Sequence, residues 1–168
     1  MNFLIPSLCE YLISHGADAK DTNELKITPL HFAASFNCTE IAEILIKNGA
    51  NIDAQNNGDE IPLMYASLSD SAEVAELLLS HGANINAVDS IGKNSLLKSM
   101  NRHANNVIKL LTSQGIDINA KDPNGNTMLH HAIDSADFHM VEILISNGAN
   151  VNEVGELGLT RKNNSTSD

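Results

Sequence analysis

Apolar residues along this chain fall into short blocks with helical spacing, separated by polar stretches rich in Asn, Asp and Gly. In one such block, Thr28-Pro29 predicts the start of a helix over about residues 28–35. Thr is a favourable N-cap residue, and Pro suits the first helical position. Asn37 follows where the chain must turn, and Asn tolerates the left-handed backbone conformation.

A second helix is predicted directly after this turn, over about residues 39–47, because apolar side chains recur there on one helical face. Asn48-Gly49 predicts its end, since Gly is the usual residue just past a helix. The stretch from there to about residue 60 is polar and predicts an extended turn or hairpin. The apolar residues on the helical face are Ile41, Ile44 and Leu45.

The whole pattern repeats every 33 residues, which is clearest in the glycine that follows each second helix. A repeat of this size is typical of solenoids, in which each unit buries its faces against its neighbours. The predicted domain spans residues 1–160, and a polar tail occupies 161–168. The glycines are Gly16, Gly49, Gly82, Gly115 and Gly148, and the copies are 1–22 (partial), 23–55, 56–88, 89–121, 122–154 and 155–160 (a fragment).

The sequences TPLHFAA at 28–34 and EIAEILIKNGANIDAQ at 40–55 resemble the ankyrin repeat, and the resemblance covers nearly the whole chain. It implies an all-α repeat solenoid, a curved array of helix–turn–helix–hairpin units. It also implies that hairpin tips and first helices line a concave surface that binds other proteins. Thr28 and His31 correspond to the family's Thr-Pro-Leu-His motif, in which the His side chain braces the turn by hydrogen bonds. Thr127 and His130 match the same motif.

Composition and charge narrow the classes of function. The net charge is −11, which argues against nucleic acid or an anionic membrane as the partner. Two cysteines do not suggest a disulfide framework, so a reduced, cytoplasmic protein is expected. No run of about 20 apolar residues predicts a membrane span. We therefore expect a soluble monomer.

Catalytic and metal-binding motifs do not stand out from the repeat. Seven histidines are present, but apart from the adjacent pair His130-His131 none has metal-ligand spacing to another His or to a Cys. The conspicuous glycines recur once in each copy and do not form a phosphate-binding cluster. We therefore expect no metal, no cofactor and no enzymatic activity in this chain.

A partner is expected at the positions that the repeat leaves variable. By resemblance to the family, the concave side is lined by residues just before the first-helix cap, early in the first helix, at its end, and at the hairpin tip. In the 23–55 copy these residues are apolar, and exposed apolar clusters often mark binding sites. For Phe32, packing between neighbouring first helices is the alternative. The predicted partner-binding residues are Leu25, Ile27, Phe32, Phe36, Glu60, Tyr65, Leu68, Ile91, Lys93, Lys98, Arg102 and His131.

The 89–121 copy differs from the others in charge. It holds half of the chain's ten basic residues and sums to +3, whereas the copies on either side contain no Lys or Arg. Lys93, Lys98 and Arg102 all fall at concave positions. Lys98 and Arg102 are four residues apart on one helix and share a face.

Two interpretations of this basic group stay open. It could capture an acidic or phosphorylated group of a partner, with Arg102 binding in bidentate fashion. Alternatively it neutralises acidic neighbours within the array, with Lys93 opposite Glu60 and His131 beside Lys98. Surface ion pairs contribute little to stability, so such a pair needs no functional purpose.

The leading interpretation of the whole chain is a protein-interaction module or adaptor. An alternative is that the array is the substrate-targeting arm of an enzyme whose catalytic part lies outside this chain. A third possibility is a purely structural fragment without a partner.

Overall fold

The computed structural model describes residues 4–99 and 105–153. Within these ranges the chain is helical apart from turns, loops and two isolated β-bridges, and it contains no sheet. The predicted all-α repeat architecture is confirmed, whereas the predicted fragment 155–160 and tail 161–168 lie outside the described residues. The helices are α1 (Leu4–Ser14), α2 (Pro29–Ser35), α3 (Thr39–Lys47), α4 (Pro62–Leu68), α5 (Ala72–Ser80), α6 (Ser95–Ser99), α7 (Asn105–Ser113), α8 (Met128–Asp134) and α9 (Phe138–Ser146).

The helices form two layers that follow the repeat. Helices α2, α4, α6 and α8 are the first helices of their copies, and each packs against the second helix of its own copy. In the first layer α4 packs between α2 and α6, and in the second layer α1, α3, α5 and α7 pack in chain order. Because α1 is the second helix of the partial copy, no first helix precedes α2 in the described part of the chain.

The predicted histidine brace is confirmed at the start of α2. The Thr28 hydroxyl accepts a hydrogen bond from the backbone N–H of His31, and Nδ1 of His31 accepts one from the N–H of Thr28 at 3.1 Å. The proton of His31 is therefore on Nε2, which donates to the backbone oxygen of Glu60 at 3.0 Å. Burial lowers the pKa of His31 and outweighs this bond, so the ring is neutral at pH 7. The brace thus joins the 23–55 copy to the next.

The turn between α2 and α3 also links neighbouring copies. Asn37 has the predicted left-handed conformation, with φ of 52°. Its side chain accepts a hydrogen bond from the N–H of Val74 at 3.3 Å and donates one to Glu73 at 2.5 Å, both at the start of α5. Asp70, at the equivalent position of the next copy, accepts from backbone groups at the start of α7. These turns hold the second-helix layer in register.

A continuous core lies between the two layers. Its largest fully buried side chains are aliphatic residues and methionines, apart from His31, and small alanines such as Ala34, Ala42 and Ala75 are completely buried. Close packing of small and aliphatic side chains explains how a chain with only 4% aromatic residues builds its core. The scaffold leaves much of the loops exposed, whereas the first helices differ: α2 exposes Phe32, and every described residue of α6 is buried.

Candidate protein-binding surface

Each loop before a first helix is organised by one Asn or Asp side chain. The Oδ1 atom of this residue accepts hydrogen bonds from the backbone N–H groups two and four residues later. In the 89–121 copy, Asp89 accepts from Ile91 at 3.0 Å and from Lys93 at 2.8 Å. Local bonds of this kind are a known property of Asn and Asp in turns. The equivalent residues are Asn23, Asn56, Asp89 and Asp122.

The other polar atom of this Asn or Asp faces the residue nine positions later, which lies in the first helix. In the 56–88 copy, the Asn56 amide donates to the Tyr65 hydroxyl at 2.9 Å. In the 89–121 copy, Asp89 Oδ2 lies 2.6 Å from Lys98 Nζ. In the 122–154 copy, Asp122 similarly lies 2.9 Å from His131 Nε2. An Asp therefore stands opposite Lys or His, and Asn56 stands opposite Tyr65. In the 23–55 copy the corresponding residues are Asn23 and Phe32.

Lys98 has a second carboxylate partner in the preceding copy. Its Nζ lies 2.5 Å from Oε1 of Glu60, whose Oε2 accepts from the Asn56 amide at 2.9 Å. The side chains of Lys98, Glu60 and Asp89 are 11%, 22% and 2% exposed. A cation and two carboxylates from two copies thus form a cluster largely shielded from solvent, which we call the Lys98 cluster.

The pKa values in the Lys98 cluster follow from this geometry. Burial of Glu60 and Asp89 opposes their ionisation, but hydrogen bonds from Lys98 and from neighbouring N–H groups outweigh it. The pKa of each carboxyl therefore lies below its ordinary value. Burial likewise disfavours the ammonium, but the two carboxylates outweigh it and raise the pKa of Lys98. All three groups are charged at neutral pH.

The predicted basic group is therefore only partly available to a partner. The charge of Lys98 is taken up inside the array, and a partner carboxylate would have to displace Glu60 or Asp89. Arg102 lies outside the described residues. Lys93 is half-buried on the adjoining loop. For Lys98 the geometry is that of internal neutralisation. Its partners are Glu60 and Asp89, whereas the sequence-based alternative placed Lys93 opposite Glu60 and His131 beside Lys98.

The predicted apolar residues of the 23–55 copy lie at the surface. Phe36 is 72% exposed and Phe32 is 48% exposed, so neither is enclosed between helices. Leu25 at the loop tip is exposed, and Ile27 is half-buried beside it. Elsewhere Ile91 is exposed, while Tyr65 and Leu68 are half-buried.

Phe36 stands where three surface cavities meet. The first, which we call the end groove, has a volume of about 500 Å³. The second, the concave groove, has a volume of about 590 Å³ and continues onto the 56–88 copy. A third cavity of about 320 Å³ lies towards α1 and the start of α3. The end groove is lined by Asp21, Thr22, Asn23, Ile27, Pro29, Phe32, Ala33, Phe36, Cys38 and Ile41, and the concave groove by Ser35, Phe36, Tyr65, Leu68, Ser69 and Asp70.

Some residues of this surface were not predicted. Asp89 was missed, although its place nine residues before Lys98 was a readable signal once Asp122 and His131 were seen to share that spacing. Cys38 and Ile41 were missed as groove residues. Ser71, the equivalent of Cys38 in the next copy, is buried, and so are Val74, Val107 and Met140, the equivalents of Ile41, so the repeat pattern favoured the core.

The described residues hold neither a metal-binding cluster nor a membrane span. Across 4–99 and 105–153, no group of three or more His, Cys, Asp or Glu side chains is placed to hold a metal ion. None of the helices in these ranges is long and apolar enough to cross a membrane.

Comparison with known families gives one result. The family model described as ankyrin repeats (3 copies) matches residues 4–89 and 88–155, which together cover most of the chain. No curated protein matches the sequence significantly.

Proposed function

Because the chain belongs to the ankyrin repeat family, whose repeats are generally protein-interaction modules, we propose that it binds another protein through its loop tips and first helices. In this proposal it acts as a monomer in the cytoplasm and performs no chemistry of its own. The partner contacts the apolar residues of the 23–55 copy and extends along the concave groove towards the 89–121 copy.

The observation that carries this proposal is the position of Phe36. A phenylalanine this exposed loses free energy by staying in water, and burying it under a partner is worth about 2 kcal/mol. The equivalent residues Ser69 and Ser135 are polar and exposed, so the scaffold does not require an aromatic side chain here. Aromatic residues beside open cavities are the usual anchors of protein interfaces.

The concave groove offers a mixed surface next to this anchor. Tyr65 and Leu68 supply apolar area, while Ser35, Ser69 and Asp70 supply polar groups at the rim. An apolar centre with a polar rim is the common arrangement of protein interfaces. An acidic or phosphorylated group on the partner stays a prediction for the 89–121 copy, where Lys93 is a described cation at a predicted concave position outside the Lys98 cluster.

Affinity capture from the source cells tests the proposal with a matched pair of variants. Phe36→Ala removes the anchor, whereas Phe138→Ala removes a phenylalanine on α9 that is equally exposed, at 78%, and lines none of the three cavities. Both variants should unfold like the wild type in circular dichroism, since neither side chain is in the core. We expect at least one cellular protein to be captured by both the wild type and Phe138→Ala but not by Phe36→Ala. Identical captured proteins for all three chains would contradict the proposal.

A further inference from the structure

The concave groove lies between two neighbouring copies whose first helices are both described in full. One wall is the end of α2 with Phe36, and the other is the second half of α4 with Tyr65 and Leu68, followed by the turn at Asp70. Helix α2 packs directly against α4. In a solenoid each copy contacts only its neighbours, so a copy stacked on the other side of α2 does not reach this groove. Its openness is therefore a property of the 23–55 and 56–88 copies themselves.

The exposure of Phe36 is also a property of its position in the repeat. Ser69 is the equivalent residue of the next copy, and it is exposed although α2 packs against its helix from the preceding side. A preceding first helix thus leaves this position uncovered. A phenylalanine here presents its ring to the groove and not to the core of the array.

The charge around the concave groove is negative. The 23–55 and 56–88 copies carry nine carboxylates and two lysines, a side-chain net charge of −7. Lys47 is paired with Glu43 on α3, Lys26 lies at a loop tip, and neither lysine lines the groove. Lys98 reaches the 56–88 copy from the next one, but its charge is taken up inside the Lys98 cluster.

Two carboxylates at the turn end of the groove are held by neutral donors. Asp70 accepts hydrogen bonds from two backbone N–H groups at the start of α7 and from the Asn106 amide at 2.8 Å. Glu73 accepts one from the amide of Asn37, the residue directly after Phe36. This bond lowers the pKa of Glu73, so its side chain is ionised at neutral pH. Within 4–99 and 105–153, neither carboxylate is paired with a lysine or an arginine.

This arrangement decides the sign of the charge that a partner brings to the groove. Carboxylates bonded only to neutral donors keep their negative charge, which attracts a cation and repels an anion at the same surface. Arginine is the best match, because its guanidinium binds carboxylates in bidentate fashion while its stem lies along apolar surface. The cation of the next copy that favoured an acidic partner, Lys98, is already neutralised.

We propose that the concave groove binds a short segment of another protein in which an arginine lies close to a large apolar residue. The apolar residue packs against Phe36, Tyr65 and Leu68, and the arginine lies at Asp70 and Glu73. The groove volume of about 590 Å³ is that of a cleft for a molecule of drug size, enough for a few side chains. This proposal rests on the proposed protein-binding function and names the chemistry of the partner segment.

The probe for this proposal is a phage-displayed library of random peptides, selected on the full chain. Counter-selection on Phe36→Ala removes every peptide that binds elsewhere, so the recovered peptides are those that need Phe36. Sequencing gives their composition relative to the starting library. Fluorescence polarisation with the synthesised peptides then gives their affinity for the full chain and its variants in solution. The recovered peptides should be enriched in arginine and large apolar residues and depleted in aspartate and glutamate.

Charge-removing variants test the role of the two carboxylates. Asp70→Asn combined with Glu73→Gln removes both charges and keeps a hydrogen-bond acceptor at each position, and Asn37 shows that this turn accommodates an asparagine. The double variant should bind the peptides about tenfold more weakly, and added salt should weaken binding to the wild type. Asp134→Asn combined with Glu142→Gln makes the same change in net charge at exposed positions two copies away, and it should bind like the wild type.

A single variant keeps the test independent of folding. Circular dichroism checks that both double variants are folded. Glu73 is exposed and takes no part in the bonds between Asp70 and α7. Glu73→Gln alone should therefore leave thermal unfolding unchanged and weaken peptide binding about threefold.

Several outcomes would overturn the proposal. One is that the recovered peptides are acidic or show no excess of arginine, and another is that the two double variants bind them equally. Recovery of no Phe36-dependent peptide would mean that the groove is closed to a partner segment. Dimerisation of the chain alone, lost in Phe36→Ala and seen by sedimentation, would assign the groove to a second copy. If cellular capture depends on Phe36 while the peptides fail the charge test, protein binding stands and the arginine assignment falls.

Discussion

Replacing Lys98 with methionine removes the cation that Glu60 and Asp89 share, while keeping a side chain of similar length and volume. Two carboxylates are then left close together in a partly enclosed site. The 89–121 and 56–88 copies lose their ion pair, and the loss should appear as a reduced free energy of unfolding. This variant tests whether the Lys98 cluster stabilises the stack.

The expected loss in free energy of unfolding depends on which hydrogen bonds Glu60 and Asp89 retain after Lys98 is replaced. Removing one partner of a buried ion pair usually costs about 3–5 kcal/mol. Asp89 retains its two backbone N–H donors, and Glu60 is partly exposed and retains the Asn56 amide. We therefore expect a loss of about 2–3 kcal/mol, below the usual range. For a chain of this length the melting temperature should fall by about 4–12 °C.

The loss should depend on pH in a defined direction. In the folded wild type the pKa values of Glu60 and Asp89 are lowered, so their contribution is present above the unfolded values near 4 and disappears as pH falls through the folded values. The pKa of Lys98 is raised, so its contribution is present below about 10 and disappears as pH rises through the folded value. The difference between wild type and variant should be largest between these limits and shrink at about pH 3.

Urea unfolding followed by circular dichroism at neutral and acid pH measures both effects. Lys47→Met is the matched control, because Lys47 forms an exposed pair with Glu43 at 3.5 Å, four residues away on the same helix. Such a pair contributes at most about 0.5 kcal/mol. The reasoning is refuted if Lys98→Met is no less stable than Lys47→Met at pH 7, or if its loss is the same at pH 3.

The pairing across nine residues offers a second test at the same site. Lys98→Tyr alone should be destabilising, because it leaves Asp89 opposite a phenol. Adding Asp89→Asn recreates the Asn56–Tyr65 pair of the preceding copy, so the double variant should regain part of the stability. Strict additivity of the two changes in a double-mutant cycle would show that the pairing is not energetically coupled. Two further substitutions probe the scaffold. Ser95 is fully buried, and its hydroxyl has no hydrogen-bond partner in the described structure. Ser95→Ala should therefore raise the free energy of unfolding, measured in urea, by about 1 kcal/mol. A fall of the same size in the free energy of unfolding would mean that the hydroxyl is hydrogen-bonded. Ala136 has φ of 53°, so Ala136→Gly should raise the free energy of unfolding by about 1 kcal/mol, measured by thermal unfolding. Ala132→Gly within α8 should lower the free energy of unfolding. A fall for both variants would contradict the argument from backbone conformation.

Much of the fold could be predicted from sequence because it depends on short-range interactions. The predicted helices over 28–35 and 39–47 match α2 and α3 closely. The Thr28–His31 brace acts between residues three apart, and the left-handed turn at Asn37 is a preference of that residue alone. The repeat presents the same local pattern several times along the chain, so each copy supports the same prediction.

The candidate site was predictable only in part. Exposure of Phe36 and Leu25 followed from their places in the repeat. The role of Lys98 did not, because Glu60 belongs to the preceding copy, more than one full repeat away in the chain, and meets Lys98 only when α4 and α6 stack. Composition marked Lys98 as an unusual charge on the concave side, whereas stacking surrounds that charge with carboxylates of its own array.

The sequence by itself determined the repeat, its helices, caps and turns, and the apolar character of the 23–55 copy, since each depends on residues close together in the chain. Only the tertiary structure decided which charges stay available and which faces stay open. Lys98 is neutralised because two copies meet around it, and in the described structure Pro29, Cys38 and Ile41 line the end groove. Burial and ion pairing between copies depend on which surfaces come into contact, and a single copy does not contain that information.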